Sequence, residues 1–236
     1  DVVIATKVST KPDRAGLAPD NVRAALGESL ARLRTDYVDL YYAHFDDPDT
    51  PLEETVAVFE ELRAAGKTRY VALSNYDPRR IEQWCAIAES MGAQAPVALQ
   101  PHYNLLHRGD VEGPGNRGET AAAHDMGLVP YFSLAAGFLT GKYRRGEAAT
   151  TARSSMVADY MRPECFAVVD ALREIAAAHG TQPAAVALTW LRDRPGVVAP
   201  LASARTTEQL APILTALTLR LAPEETDRLT SLSGAI

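Results

Sequence analysis

Short aliphatic and β-branched runs alternate along this chain with longer stretches whose apolar positions recur every three or four residues. The runs Val2–Val8, Asp36–His44, Lys67–Asn75, Val97–Gln100, Gly127–Phe132 and Val197–Leu201 read as strands. Between them the spacing predicts helices. One starts near Pro19 and carries Val22, Leu26, Leu30 and Leu33; another follows Thr50-Pro51-Leu52-Glu53 and buries Val56, Phe59 and Leu62. Thr50 and Glu53 have the spacing of a capping box, Pro51 suits the first helical position, and Gly66 suits a left-handed end. Asp77-Pro78 opens a helix with Ile81, Trp84, Cys85 and Ala88 inward, and Gly92 stops it. A short Ala-rich helix precedes Gly127, and further helices are expected at Glu164–His179, from Pro183, after Thr206, and at Pro223–Leu232. Two stretches, about 104–118 and 143–162, read as long irregular loops, and residues 135–162 show no continuous strong element.

Strands that alternate with helices imply a parallel sheet with crossover connections. The apolar strand centres imply burial on both faces. An open doubly wound sheet would place a glycine-rich turn after an early strand, and none is present. A barrel places functional groups at the C-terminal ends of successive strands. Lys7, His44, Ser74-Asn75, Gln100, Tyr131 and Ser203 are each expected to close a strand. The reading is therefore an α/β barrel, with about six β/α units legible in residues 1–236.

Composition narrows the class. With 47% hydrophobic and 23% charged residues the chain is that of an ordinary globular protein. No apolar run approaches the roughly 20 residues needed to cross a bilayer. A formal charge of −6 without a dense basic run argues against nucleic acid as a partner. Two separated cysteines, Cys85 and Cys165, outside any CxxC pair, fit a reducing, cytoplasmic setting.

The strand ends carry the candidate chemistry. Lys7 is a rim ammonium able to tune a neighbouring acid, or a lysine that snorkels. His44 can orient a carbonyl or pass a proton near neutrality, or be an ordinary rim histidine. No HxH or HExxH spacing occurs, so no metal is expected. Ser74, Asn75 and Gln100 can grip an amide or cap loops, and Tyr131 can stack on a heteroaromatic ring or pack in the wall. Ser203-Ala204-Arg205-Thr206-Thr207-Glu208-Gln209 opens a helix, where amide hydrogens and Arg205 suit an anion such as a cofactor phosphate, or where Arg205 is merely solvated.

Taken together these stretches resemble the aldo-keto reductase family, in particular the bacterial branch related to potassium-channel β subunits. The matching segments are Val3-Ile4-Ala5-Thr6-Lys7, Asp39-Leu40-Tyr41-Tyr42-Ala43-His44, Leu73-Ser74-Asn75, Leu99-Gln100-Pro101-His102-Tyr103-Asn104, Gly137-Phe138-Leu139-Thr140-Gly141-Lys142-Tyr143 and Ser203-Ala204-Arg205-Thr206-Thr207-Glu208-Gln209-Leu210. The resemblance implies a (β/α)8 TIM barrel, of which residues 1–236 would be one incomplete domain carrying about the last six β/α units, that binds NADPH without a Rossmann motif and reduces a small-molecule aldehyde or ketone, with a tyrosine as proton donor. It implies that Lys7 lowers that tyrosine's pKa and that His44 orients the substrate oxygen. Ser74, Asn75 and Gln100 would grip the nicotinamide amide, and Tyr131 would stack on its ring. Leu134, Ala135, Gly137 and Lys142 would line the pyrophosphate; Ser203, Arg205 and Gln209 would lie by the adenosine 2′-phosphate.

The sequence departs from the family's pattern in three places. The catalytic Asp and Tyr of the family follow the second barrel strand and would precede Asp1, so residues 1–236 alone are expected to be inactive. Phe132-Ser133 stands where many members have Ser-Pro, and Pro212-Ile213 where relatives often carry an acidic residue and Asn. A catalytically inert NADP(H) sensor on the same fold is the alternative. A hydrolase or isomerase would have to use Asp46 and Asp47, and a pure scaffold would bind no dinucleotide.

Overall fold

A computed structural model describes residues 2–12, 14–146 and 154–234; residues 147–153 of the expected 143–162 loop lie outside it. The chain forms two compact units, one of Asp1–Pro101 with Gly113–Leu128, the other of His102–Glu112 with Val129–Ile236.

The first unit is a five-stranded parallel sheet in sequential order: β1 (Ala5–Val8), β4 (Val38–Ala43), β5 (Thr68–Ser74), β6 (Ala98–Gln100) and β7 (Gly127–Leu128). Between β1 and β4 lie a small antiparallel hairpin, β2 (Thr10–Lys11) with β3 (Arg14–Ala15), and helix α1 (Pro19–Leu33). Helices α2 (Leu52–Ala64), α3 (Pro78–Met91) and α4 (Arg117–Ala123) follow β4, β5 and β6. This alternation agrees with the (β/α)8 class expected from the strand–helix pattern.

Local signals explain most boundaries. The Asp77 carboxylate accepts the Arg80 amide hydrogen at 2.9 Å and caps α3, and Gly92 ends it at φ +64°. Ile81, Trp84, Cys85 and Ala88 are the buried face of that helix, as the spacing predicts. Gly66, at φ +70°, closes the turn after α2. Thr50 behaves differently from the expected cap. Its hydroxyl donates to Asp47 Oδ2 at 2.7 Å, and Pro51 takes the cap position. A charged oxygen outcompetes the backbone amides for that hydroxyl.

The ladder register sets which side chains share a face. Lys7 pairs with Tyr42, Tyr42 with Ala72, Ala72 with Ala98 and Ala98 with Gly127, one rung across the sheet. One residue further on, Val8, Ala43, Leu73, Leu99 and Leu128 form the next rung and point the other way. The opposite face meets the helices: Tyr41 donates its hydroxyl to the Val22 carbonyl of α1 at 3.1 Å, and its ring packs on Phe59 of α2.

The second unit is mainly helical: α5 (Ser154–Val157), α6 (Pro163–Ala178), α7 (Pro183–Arg192), α8 (Thr207–Thr215) and α9 (Pro223–Ser233), preceded by a 3-10 turn at Ala135–Thr140. Cys165, Val168, Leu172, Val186, Trp190 and Leu229 lie in its core. Two expected strands are reduced here. The run Gly127–Phe132 is ladder-paired only at Gly127–Leu128, followed by an isolated bridge between His102 and Tyr131. Val197–Leu201 is not a strand: Leu201 N–H donates to the Pro130 carbonyl at 2.9 Å, and Val198 is 65% exposed. An apolar β-branched run becomes a strand only where a ladder partner lies alongside. Ser203 therefore sits in an irregular segment rather than at a strand end.

Candidate active site

Because side chains alternate along a strand, Lys7, Tyr42, His44, Ser74 and Gln100 project from the same face of the first unit's sheet, at its C-terminal edge. The contacts between these side chains agree. The Lys7 ammonium lies 5.2 Å from the centre of the Tyr42 ring. The Gln100 side chain is close enough to the Tyr42 hydroxyl to favour its deprotonation. Ser74 Oγ donates to the Gln100 carbonyl at 3.0 Å, and Asn75 Nδ2 donates to Ser74 Oγ at 3.1 Å and to the His44 carbonyl at 3.0 Å. Asn75 has φ +62°, the left-handed conformation that Asn tolerates better than most residues, and this turns its side chain back across the strand end.

Electrostatics in this cluster follow from burial. Burial lowers the pKa of Lys7 and raises that of Tyr42 against the opposing effect of the Gln100 hydrogen bond. His44 is also pushed down, by burial first and by the Lys7 charge second. At neutral pH the group therefore holds a half-buried cation, a neutral imidazole, a neutral phenol and three amide or hydroxyl groups. Such a set can orient an acceptor oxygen, stabilise negative charge beside it, and satisfy both sides of a carboxamide.

Tyr42 was not singled out by the sequence reading, although its place two residues before His44 puts it on the same face. The carboxylates of the loop after β4 are otherwise engaged. Asp46 receives Arg80 through two bonds of 2.8 and 2.9 Å. Asp47 accepts the Leu17 amide and the Thr50 hydroxyl, each at 2.7 Å. Neither is available as one of a catalytic carboxylate pair.

In the second unit, Tyr131 stacks at 5.4 Å on His102, which in turn stacks at 3.9 Å on His107. Ala135, Ala136 and Gly137 follow with positive φ of 48°, 54° and 97°. The Ala135 and Gly137 amides donate to the Phe132 and Leu134 carbonyls at 2.7 and 2.8 Å, which holds this tight turn closed. The Lys142 ammonium lies 3.2 Å from where a Cβ on Gly137 would stand. The missing carbon at Gly137 leaves space beside the Lys142 ammonium, a cation able to meet an anion such as a phosphate. Leu134 opens the same 3-10 turn as its N-cap.

Arg205 and Gln209 stand at the start of α8, and Ser203 just ahead of it; all three are exposed. Thr206 accepts the Gln209 amide hydrogen at 3.4 Å, while Gln209 Oε1 accepts the Arg205 amide hydrogen at 3.0 Å. The Gln209 side chain is thus engaged in a capping interaction. His102, Phe132, Ala136, Met156, Tyr160 and Arg162 line a separate cavity of about 470 Å³ in this unit.

A parallel sheet with an amine, an imidazole and side-chain amide and hydroxyl groups along its C-terminal edge has the features of an α/β-barrel enzyme. The chain belongs to the aldo/keto reductase family, whose model matches residues 1–233. It is similar to Protein tas of Escherichia coli (strain K12), at 31% identity over 94% of this chain and 72% of that protein. It is also similar to a probable voltage-gated potassium channel subunit beta of Oryza sativa subsp. japonica, at 30% identity over 97% of this chain and 73% of that protein. L-glyceraldehyde 3-phosphate reductase of Escherichia coli O157:H7 is 32% identical over 89% of this chain and 63% of that protein.

Proposed function

We propose that the full-length protein reduces an aldehyde or ketone to an alcohol, with NADPH as hydride source and the family's tyrosine as proton donor. The reading rests chiefly on the cluster of Lys7, Tyr42, His44, Ser74, Asn75 and Gln100 on one sheet face. When bound, NADPH supplies the hydride; the chain's own residues supply orientation and charge. Ser74, Asn75 and Gln100 have the donors and acceptors that a nicotinamide carboxamide requires, and Tyr131 offers a ring to stack on it. The cradle of Leu134, Ala135, Gly137 and Lys142 suits the pyrophosphate, and Arg205, with Ser203 and Gln209, suits the 2′-phosphate. His44 orients the carbonyl oxygen, and the Lys7 ammonium favours proton loss from a neighbouring acid.

The similarity to a protein named L-glyceraldehyde 3-phosphate reductase supports a carbonyl substrate. The test is NADPH consumption by the protein with a panel of small aldehydes and ketones, alongside cofactor fluorescence. Consumption matched by alcohol formation is expected. Fluorescence quenching with no carbonyl reduced would replace the reductase by a cofactor sensor, and no binding at all would defeat both.

A further inference from the structure

We propose that Thr10 is the positioning residue of His44: its hydroxyl donates a hydrogen bond into Nδ1, which holds the imidazole proton on Nε2. Thr10 Oγ1 lies 3.1 Å from His44 Nδ1. Strand alternation would turn Thr10 away from His44, because Thr10 is three residues after Lys7. Ser9 prevents this. Its φ of +117° breaks the alternation immediately after β1 and starts the β2–β3 hairpin. A serine at that φ carries backbone strain, held against relaxation by the surrounding bonds.

The hairpin is strapped to the segment after β4 at both of its ends. Ser9 Oγ accepts the Phe45 amide hydrogen at 3.2 Å, and Asp47 Oδ2 accepts the Leu17 amide hydrogen at 2.7 Å. Between these points Asn21 Nδ2 donates to the carbonyls of Arg14, Ala15 and Gly16 at 3.1, 3.0 and 2.8 Å. Gly16 is required here, since a Cβ would stand 2.9 Å from Asp47 Oδ2. Thr10, though exposed, is thus fixed beside His44 by bonds on either side of it.

The direction of the bond follows from the acceptor on the other ring nitrogen. This step rests on the reductase reading, in which His44 meets a carbonyl oxygen. That oxygen only accepts hydrogen bonds, and a neutral imidazole carries one N–H. With Nδ1 engaged by Thr10, the carbonyl needs Nε2–H, so the hydroxyl, which can do either, must donate. The bond made at one ring nitrogen decides the proton's place on the other.

Long-range 15N–1H spectra of the labelled protein at pH 8, with His44 assigned by its loss in His44→Asn, should show a protonated Nε2 and an unprotonated Nδ1. Thr10→Val should shift His44 toward a mixture of tautomers and lower kcat about tenfold with the NADPH KM unchanged. Thr10→Ser should restore the single tautomer and most of kcat. A protonated Nδ1 in the unaltered protein, or a Thr10→Val variant with tautomer and kcat unchanged, would overturn the proposal. If the tautomer depends on Thr10 but no carbonyl is reduced, the reductase reading fails and the Thr10–His44 assignment stands.

Discussion

Lys7 and Tyr42, 35 residues apart in sequence, occupy one rung of the parallel ladder, with the ammonium 5.2 Å from the ring centre. The ring face offers the ammonium an electrostatic partner that carries no charge of its own. The same tyrosine's hydroxyl is close to the Gln100 side chain. Tyr42 thereby links the residue proposed to act electrostatically with one proposed to hold the cofactor's amide.

Replacing Tyr42 with Phe keeps the ring beneath Lys7 and removes only the hydroxyl near Gln100. NADPH affinity should fall, by roughly tenfold for one lost buried hydrogen-bond partner, with kcat little changed. Lys7→Met should do the reverse and lower turnover more than cofactor affinity. Fluorescence titration together with steady-state kinetics separates the two; equal effects of both variants on both constants would dissolve the division of roles.

Gly137→Ala tests the anion cradle. The new methyl would stand 3.2 Å from the Lys142 ammonium on a residue at φ +97°. Strain of about 1–3 kcal/mol is expected at such a backbone angle, together with a displaced lysine. NADPH binding should weaken, and Lys142→Met, which leaves the backbone alone, should weaken it without loss of thermal stability. Unaltered titration curves for both would place the phosphate elsewhere.

Acid should destabilise the second unit through His102. Burial first, then the neighbouring His107, lowers its pKa to about 4 from 6.5, with Asp110 opposing. The unfolded chain therefore takes up a proton near pH 6.5 that the folded chain refuses until about pH 4. This contribution to stability is complete above pH 6.5 and is lost as pH falls toward 4. Denaturant midpoints at pH 7 and pH 4.5 should differ less in His102→Asn than in the unaltered protein. An identical difference would show that His102 titrates normally.

Arg108 anchors the segment that was expected to be a loose loop. Its guanidinium meets Glu112 at 2.9 and 2.6 Å, and reaches the Thr230 carbonyl at 2.6 Å and Ser233 Oγ at 2.8 Å on α9. It also lies 5.5 Å from the Trp190 ring centre. Arg108→Ala leaves Glu112 and a helix-end carbonyl without these donors and should cost about 2 kcal/mol. Denaturant unfolding checks the figure, and a loss within a few tenths of a kcal/mol of zero would make the cluster a surface ornament.

What the sequence determined was local. The 3.6-residue spacing in α3, the Asp77 cap, the Gly92 stop and the apolar centres of β4 and β5 are set by residues within a few positions of one another. The polar ends Lys7, His44, Ser74 and Gln100 were legible for the same reason, since alternation carries them to one face, whereas Asn75 reaches it only through its positive φ. Tertiary structure decided what depends on distant partners. Val197–Leu201 has a strand's composition but no strand ladder beside it. Tyr42 joins the site only because the register sets it level with Lys7 and within reach of Gln100. Thr10 reaches His44 only because Ser9 takes a positive φ, a conformation that a serine does not announce in sequence. Periodicity reports the faces of an element, whereas register and backbone reversals are fixed by whichever chain lies alongside.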